Sequence, residues 1–63
     1  MNAALLKLID DAIRDLSDAR RFADKGFTAS AEHHLKNVRR AVGVSLARLE
    51  RLERAKSQPE HAA

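Results

Sequence analysis

The chain is 63 residues long, one domain at most, and a chain of this size buries only about 60% of the surface it exposes when unfolded. It has no cysteine, so no disulfide makes up the deficit, and no tight metal cluster is visible; oligomerisation or docking onto a partner is what remains. A net charge of +3 leaves an anionic partner open without requiring one.

The N-terminal apolar patch, Ala3 to Leu6, is interrupted by Lys7 and Asp10. It is too short for a signal core or a membrane span, and the lack of cysteine suits a reducing compartment, so a soluble, cytoplasmic protein is expected. Leu5, Ile9, Ala12, Leu16, Ala19 and Ala23 then step by four and three residues. That spacing predicts a helix over about 3–25, with Asn2 as its N-cap. Gly26 suits the left-handed position after the helix, and Lys25 complements the dipole in the last turn.

After a turn over 26–28, Thr28 is the expected cap of a second helix, with Ser30 as the alternative and Glu32 in the first turn. Ala31, Leu35, Val38, Val42, Ser45, Leu49 and Leu52 carry the stripe on, predicting a helix over about 29–56. Gly43 falls inside it, at about 1 kcal/mol against alanine; it faces either solvent or a closely approaching helix. Residues 57–63 hold the one proline and no periodicity, and are expected to be a disordered tail.

A link this short makes the two helices antiparallel neighbours, so the expected fold is an all-α hairpin. Folding back at Gly26 layers Ala23 with Ala31, Ala19 with Leu35, Leu16 with Val38, Ala12 with Val42, Ile9 with Ser45 and Leu5 with Leu49. With these as the a and d positions of a heptad, Leu6 and Ile13 fall at e and Leu8 and Phe22 at g. In the second helix Leu46 falls at e and Ala41 at g. A stripe wider than a and d indicates a helix packed in a bundle. Two hairpins forming a four-helix bundle are therefore expected, with Leu6, Leu8, Ile13, Ala41 and Leu46 at the oligomer or partner interface.

Reactive constellations are sparse. Asp11, Asp15 and Asp18 lie on one face of the first helix with Asp10 nearby, and no Glu-x-x-His pair accompanies them. Arg14 is within i,i+4 reach of Asp10 and Asp18, so a solvated face with ion pairs is expected. His33 and His34 are adjacent, point about 100° apart on a helix and cannot share a metal; they read as surface histidines. Ser45 sits in the seam, where its hydroxyl can bond back to the Ala41 carbonyl. No serine has a histidine and an acid in plausible geometry, and no glycine-rich loop cradles phosphate. No catalytic residue, metal ligand, cofactor or small-molecule substrate is expected, and no membrane partner.

Charge is unevenly spread. Residues 2–25 carry five acids and five bases, whereas residues 28–56 carry seven bases and three acids, leaving +4. Lys36, Arg39 and Arg40 form one basic group and Arg48, Arg51 and Arg54 another; these six are the candidate polyanion contacts. The only aromatics, Phe22 and Phe27, lie near the turn and make no base-stacking platform, and the turn is too tight for a DNA-binding helix-turn-helix crossing.

The Gly26-Phe27 turn followed by Ala31 and Ala41 is similar to the helical unit of tetratricopeptide repeats, at a different spacing and in a single copy. In length and hairpin architecture the chain resembles the plasmid Rop proteins, which are dimeric four-helix bundles; the likeness is one of shape and implies no functional residue. The expected function is that of a small non-enzymatic protein-interaction or regulatory module acting as a helical-bundle oligomer. Its partner would be itself, as a homodimer, or another helical protein. The alternative is a nucleic-acid-binding regulator that uses the basic face of the second helix.

Overall fold

The structure is a computed structural model and describes residues 2–57. Two helices, α1 over Ala3–Asp24 and α2 over Thr28–Ser57, pack against each other as an antiparallel hairpin. Among the described residues there is no strand, and no helix is long and apolar enough to cross a membrane. Of the tail expected over 57–63, Ser57 closes α2 and the rest lies outside the described residues.

Local chemistry sets the ends of α1. Asn2 has extended backbone angles, and its side-chain oxygen accepts from the Ala4 N–H at 2.8 Å, satisfying one of the orphan donors of the first turn. At the other end Gly26 has φ +81°, a conformation that side-chain-bearing residues adopt at a cost of about 1–2 kcal/mol. Its N–H donates to the Ala23 carbonyl at 3.0 Å, and the Phe27 N–H donates to the Phe22 carbonyl at 2.9 Å. Those two bonds form a Schellman motif, and the apolar contact that usually accompanies it is present: the Phe22 and Phe27 rings lie 6.2 Å apart. The reversal is thus specified by three residues, Phe22, Gly26 and Phe27. Thr28 is the first residue of α2 rather than its side-chain cap. The first turn is closed by the Ala31 N–H donating to the Phe27 carbonyl, and no hydrogen bond to the Thr28 hydroxyl is present among the described residues.

The seam differs from the expected one in a single, systematic way. Leu5, Ala19, Ala31 and Ser45 are buried, and Ala12 and Val38 half-buried, as the shared half of the stripe requires. The alternate layers, however, are taken by Leu8, Asp15 and Phe22 on α1 and by His34, Ala41 and Arg48 on α2, all half-buried. Leu16, Ala23, Leu35, Val42 and Leu49, expected in those layers, are exposed. Both helices are rotated about their axes so that the former g positions line the seam. What differs between the two seams is the flanking layer: Asp15 and His34 meet across the observed one, beside the small Ala41, and Leu16, Leu35, Val42 and Leu49 are carried to one side. Among the described residues the hairpin therefore fully buries one large side chain, Leu5, at 1% exposure. Such a side chain contributes about 1.5–3 kcal/mol, while ordering each residue costs about 1–2 kcal/mol.

Candidate functional site

The rotation gives the hairpin two unlike faces. On one face α1 contributes Leu6, Ile9, Ile13 and Leu16, and α2 contributes Leu35, Val42, Leu46 and Leu49. Ile9, Ile13, Leu16, Val42, Leu46 and Leu49 line a continuous open groove, with Ala12, Val38 and Ser45 at its floor. Apart from Ile9, which is half-buried, the eight are exposed, Ile13 most of all at 62%. A second recess, by the turn, continues the groove past Leu35 to Ala23 and Ala31. The charges along the edges are of both signs, Arg20 and Arg39 beside Glu32 and Glu53.

Of the five residues expected at an outer interface, Leu6, Ile13 and Leu46 lie on this face. Leu8 and Ala41 do not; they are half-buried in the hairpin's own seam, a consequence of the helix rotation. Leu16, Val42 and Leu49, assigned to the seam from the sequence, join the open face instead. Ser45 is 7% exposed, and its Oγ has no hydrogen-bond partner among the described residues, so the expected bond to the Ala41 carbonyl is not made.

The opposite face is polar and centres on a cluster that sequence spacing did not reveal. His34 Nδ1 lies 2.8 Å from Asp15 Oδ1; an ionised carboxylate only accepts, so the imidazole N–H donates. The His34 ring stacks on Phe22 with centroids 5.5 Å apart and planes 8° from parallel. His33 meets the same ring edge-on at 5.3 Å, toward solvent. The hydrogen bond from His34 holds the Asp15 carboxyl below its ordinary pKa, against the opposing effect of burial and with help from the Asn37 side chain. Asp18 accepts from Arg21 at 3.0 Å, and the Arg21 guanidinium carbon is 5.3 Å from the Phe22 ring centroid.

Asp15 and His34 were expected on solvated surfaces. The rotation instead makes them one polar layer of the seam, and a histidine three residues after a small seam residue, Ala31, is the only trace of it in the sequence. Asp15, Asp18 and His34 are the residues that could hold a metal ion, since their ligand atoms lie within 4.8 Å of one another. Two of the three are already engaged with each other, however, and the third with Arg21. The Asp15–His34 pair has the form of an acid–base dyad. The buried hydroxyl of Ser45 is about 16 Å further along α2, and no relay among the described residues joins them.

Comparison with known proteins finds no match among family models, curated proteins or solved structures.

The six candidate polyanion contacts do not form one patch. Lys36 pairs with Glu32 at 3.2 Å, and Arg39 lies at the edge of the apolar face. Helical spacing places Arg40, Arg51 and Arg54 on the opposite, polar face, with Arg54 also reaching a recess it shares with Leu46, Leu49, Glu50 and Glu53, and Arg48 is half-buried at its border. There they join Lys7, Arg14 and Arg21 of α1, which recur every seventh residue along it. Lys7 is paired with Asp11 at 3.4 Å. The Arg14 pairing with Asp10 or Asp18 expected from spacing is not made; Asp18 pairs with Arg21 instead.

Proposed function

We propose that this chain is a small non-enzymatic protein-interaction module that works as a homodimer, two hairpins closing their apolar faces into a four-helix bundle. The observation that carries this reading is the direction of the apolar arc. In an isolated two-helix hairpin the largest side chains would point at the other helix. Here the arc on each helix is centred to one side of the seam, as it is in a bundle whose core lies between two hairpins.

A second copy is the occupant that fits best. The groove runs along both helices, as an identical hairpin would need, and the mixed charges on its edges present no like-charge barrier to a copy of itself. A lone hairpin with one fully buried large side chain also falls short of what a folded chain of this size needs. In the dimer Ile13, Leu16, Val42 and Leu46 form the central layers, and the Asp15–His34 layer stays at the outer wall.

Light scattering after size exclusion, over a range of concentrations, tests the reading. The expected result is a mass of twice the chain, falling to one chain in Ile13→Asp. A monomer with a cooperative melting transition at every concentration would overturn it.

A further inference from the structure

Separation of the two faces leaves a question that the apolar groove does not answer: why the side turned away from it is so basic. On that side α1 and α2 together present seven cations and three carboxylates, an excess of four positive charges per hairpin. The three carboxylates are all engaged, Asp11 by Lys7, Asp15 by His34 and Asp18 by Arg21. Arg14, Arg40, Arg48, Arg51 and Arg54 form no ion pair among the described residues. The layer in which Asp15 and Phe22 both reach His34 fixes the register of the two helices, and it puts Arg14 and Arg40 at about the same height. Leu5 lies beside Arg48 and Arg51, so the next cations follow roughly two helical turns further on, near Lys7. The result is a strip of guanidinium groups along a rod 57 Å long, built from both helices.

From this strip we infer that the polar face is a docking surface for the phosphate backbone of a nucleic-acid duplex. A duplex is a regular polyanion with one charge per about 1.7 Å of axis, so an extended strip of cations suits it better than it suits a compact anion. All five free cations are arginine, whose planar fork donates two parallel hydrogen bonds to phosphate oxygens. The rings on this face, Phe22 and His34, are half-buried and stacked on each other, and no amide-rich helix accompanies them, so the strip reads backbone rather than base sequence. An anionic membrane is the poorer fit, because the hydrophobic residues that would enter a lipid interface lie on the other side of the hairpin. The inference does not need the dimer. A monomer would present one strip, and a face-to-face dimer would present two on opposite sides.

The experiment is a titration of a labelled duplex DNA of mixed sequence, followed by fluorescence anisotropy between about 50 and 300 mM salt. The expected result is sequence-independent binding whose logarithm falls linearly with the logarithm of salt. Arg14→Ala with Arg40→Ala should weaken binding at least about tenfold near 100 mM salt and reduce the slope by about 2. Lys36→Ala with Arg39→Ala removes the same charge from the other side and should leave the slope unchanged. Molar mass and helicity, measured on each variant, separate loss of the strip from loss of the fold or the dimer. No binding to duplex DNA or duplex RNA at the lowest salt would overturn the proposal. So would an equal loss in the two double variants, or binding to vesicles with anionic headgroups but to neither duplex.

Discussion

The two faces of the hairpin are built from the same helices and differ by roughly half a turn of rotation, yet they are governed by different physics. On the apolar face, Leu, Ile and Val stand exposed with a few balanced charges at the edges. On the polar face, carboxylates are spent on specific partners and arginines are left free. The first arrangement is unfavourable in water until something covers it; the second is stable in water and attracts counterions. On the proposed reading the hairpin is completed by a second copy on one side only, and substitutions of one kind should have opposite consequences on the two sides.

The largest expected effect comes from placing a carboxylate on each face in turn. Ile13→Asp should abolish the dimer, since burying an unpaired carboxylate costs several kcal/mol, with loss of the doubled mass and a large drop in melting temperature. Val44→Asp, at an exposed apolar position on the polar side of α2, should leave mass and melting temperature within the small range usual for surface changes, about 0.5 kcal/mol. If Ile13→Asp were as harmless as Val44→Asp, the apolar groove would be open to solvent in the working protein. The proposed dimer would then be wrong.

Two smaller effects sharpen the picture of the seam and of the back of α2. Ser45→Ala removes a buried hydroxyl that has no partner and should stabilise the protein by about 1 kcal/mol, read as a rise in denaturation midpoint at unchanged slope. Gly43 is the second case. A Cβ at this position meets nothing within 4 Å, so of the two settings the sequence allowed, solvent rather than a neighbouring helix surrounds it within the hairpin. Gly43→Ala should therefore add about 1 kcal/mol through helix propensity alone, with no change in mass. A lower mass or weaker dimer in Gly43→Ala would instead place a second copy against the back of α2.

How much of this was legible in the sequence depends on what each residue's signal rests on. The glycine of the turn was legible, because Gly26 at the end of a periodic run has one conformational use, and the structure gives it φ +81°; the Phe22–Phe27 contact and the start of α2 at Thr28 itself were not. The cap at Asn2 was legible for the same reason, its chemistry being local. The hairpin and its surplus of apolar surface followed from period and link length. The rotation did not. The a, d, e and g positions of α1 and α2 are all partly apolar, and a stripe that wide fits two seams about 50° apart equally well. Choosing between them depends on how the flanking residues of the two helices meet, Asp15 with His34 among them, which is a property of both helices at once. For that reason Leu8 and Ala41 were expected on the outer face and lie in the seam, while Asp15 and His34, expected in water, meet each other across it. The basic residues suffered in the same way: a set read along α2 alone mixed Lys36 and Arg39 of one side with Arg40, Arg51 and Arg54 of the other.

The smallest effect concerns the polar layer itself, and it bears on what holds the rotation in place. The Asp15 carboxyl is held below its ordinary pKa chiefly by the hydrogen bond from His34, so the folded state binds its proton more weakly than the unfolded chain does. A group depressed in this way contributes stability that is fully present above the unfolded pKa and is lost as pH falls through the folded value. Melting temperature should accordingly decline on acidification below the ordinary carboxylate range, about pH 4, and part of that decline should vanish in Asp15→Asn. The asparagine keeps the shape of the layer but cannot ionise, so it separates the charge from the packing. If Asp15→Asn also loosens the hairpin at neutral pH, seen as faster amide exchange in the middle of both helices, the Asp15–His34 bond is what selects this rotation over the alternative seam. If exchange is unchanged, the charge on Asp15 does not select it, and the packing of the flanking side chains does, since the asparagine oxygen can still accept from His34.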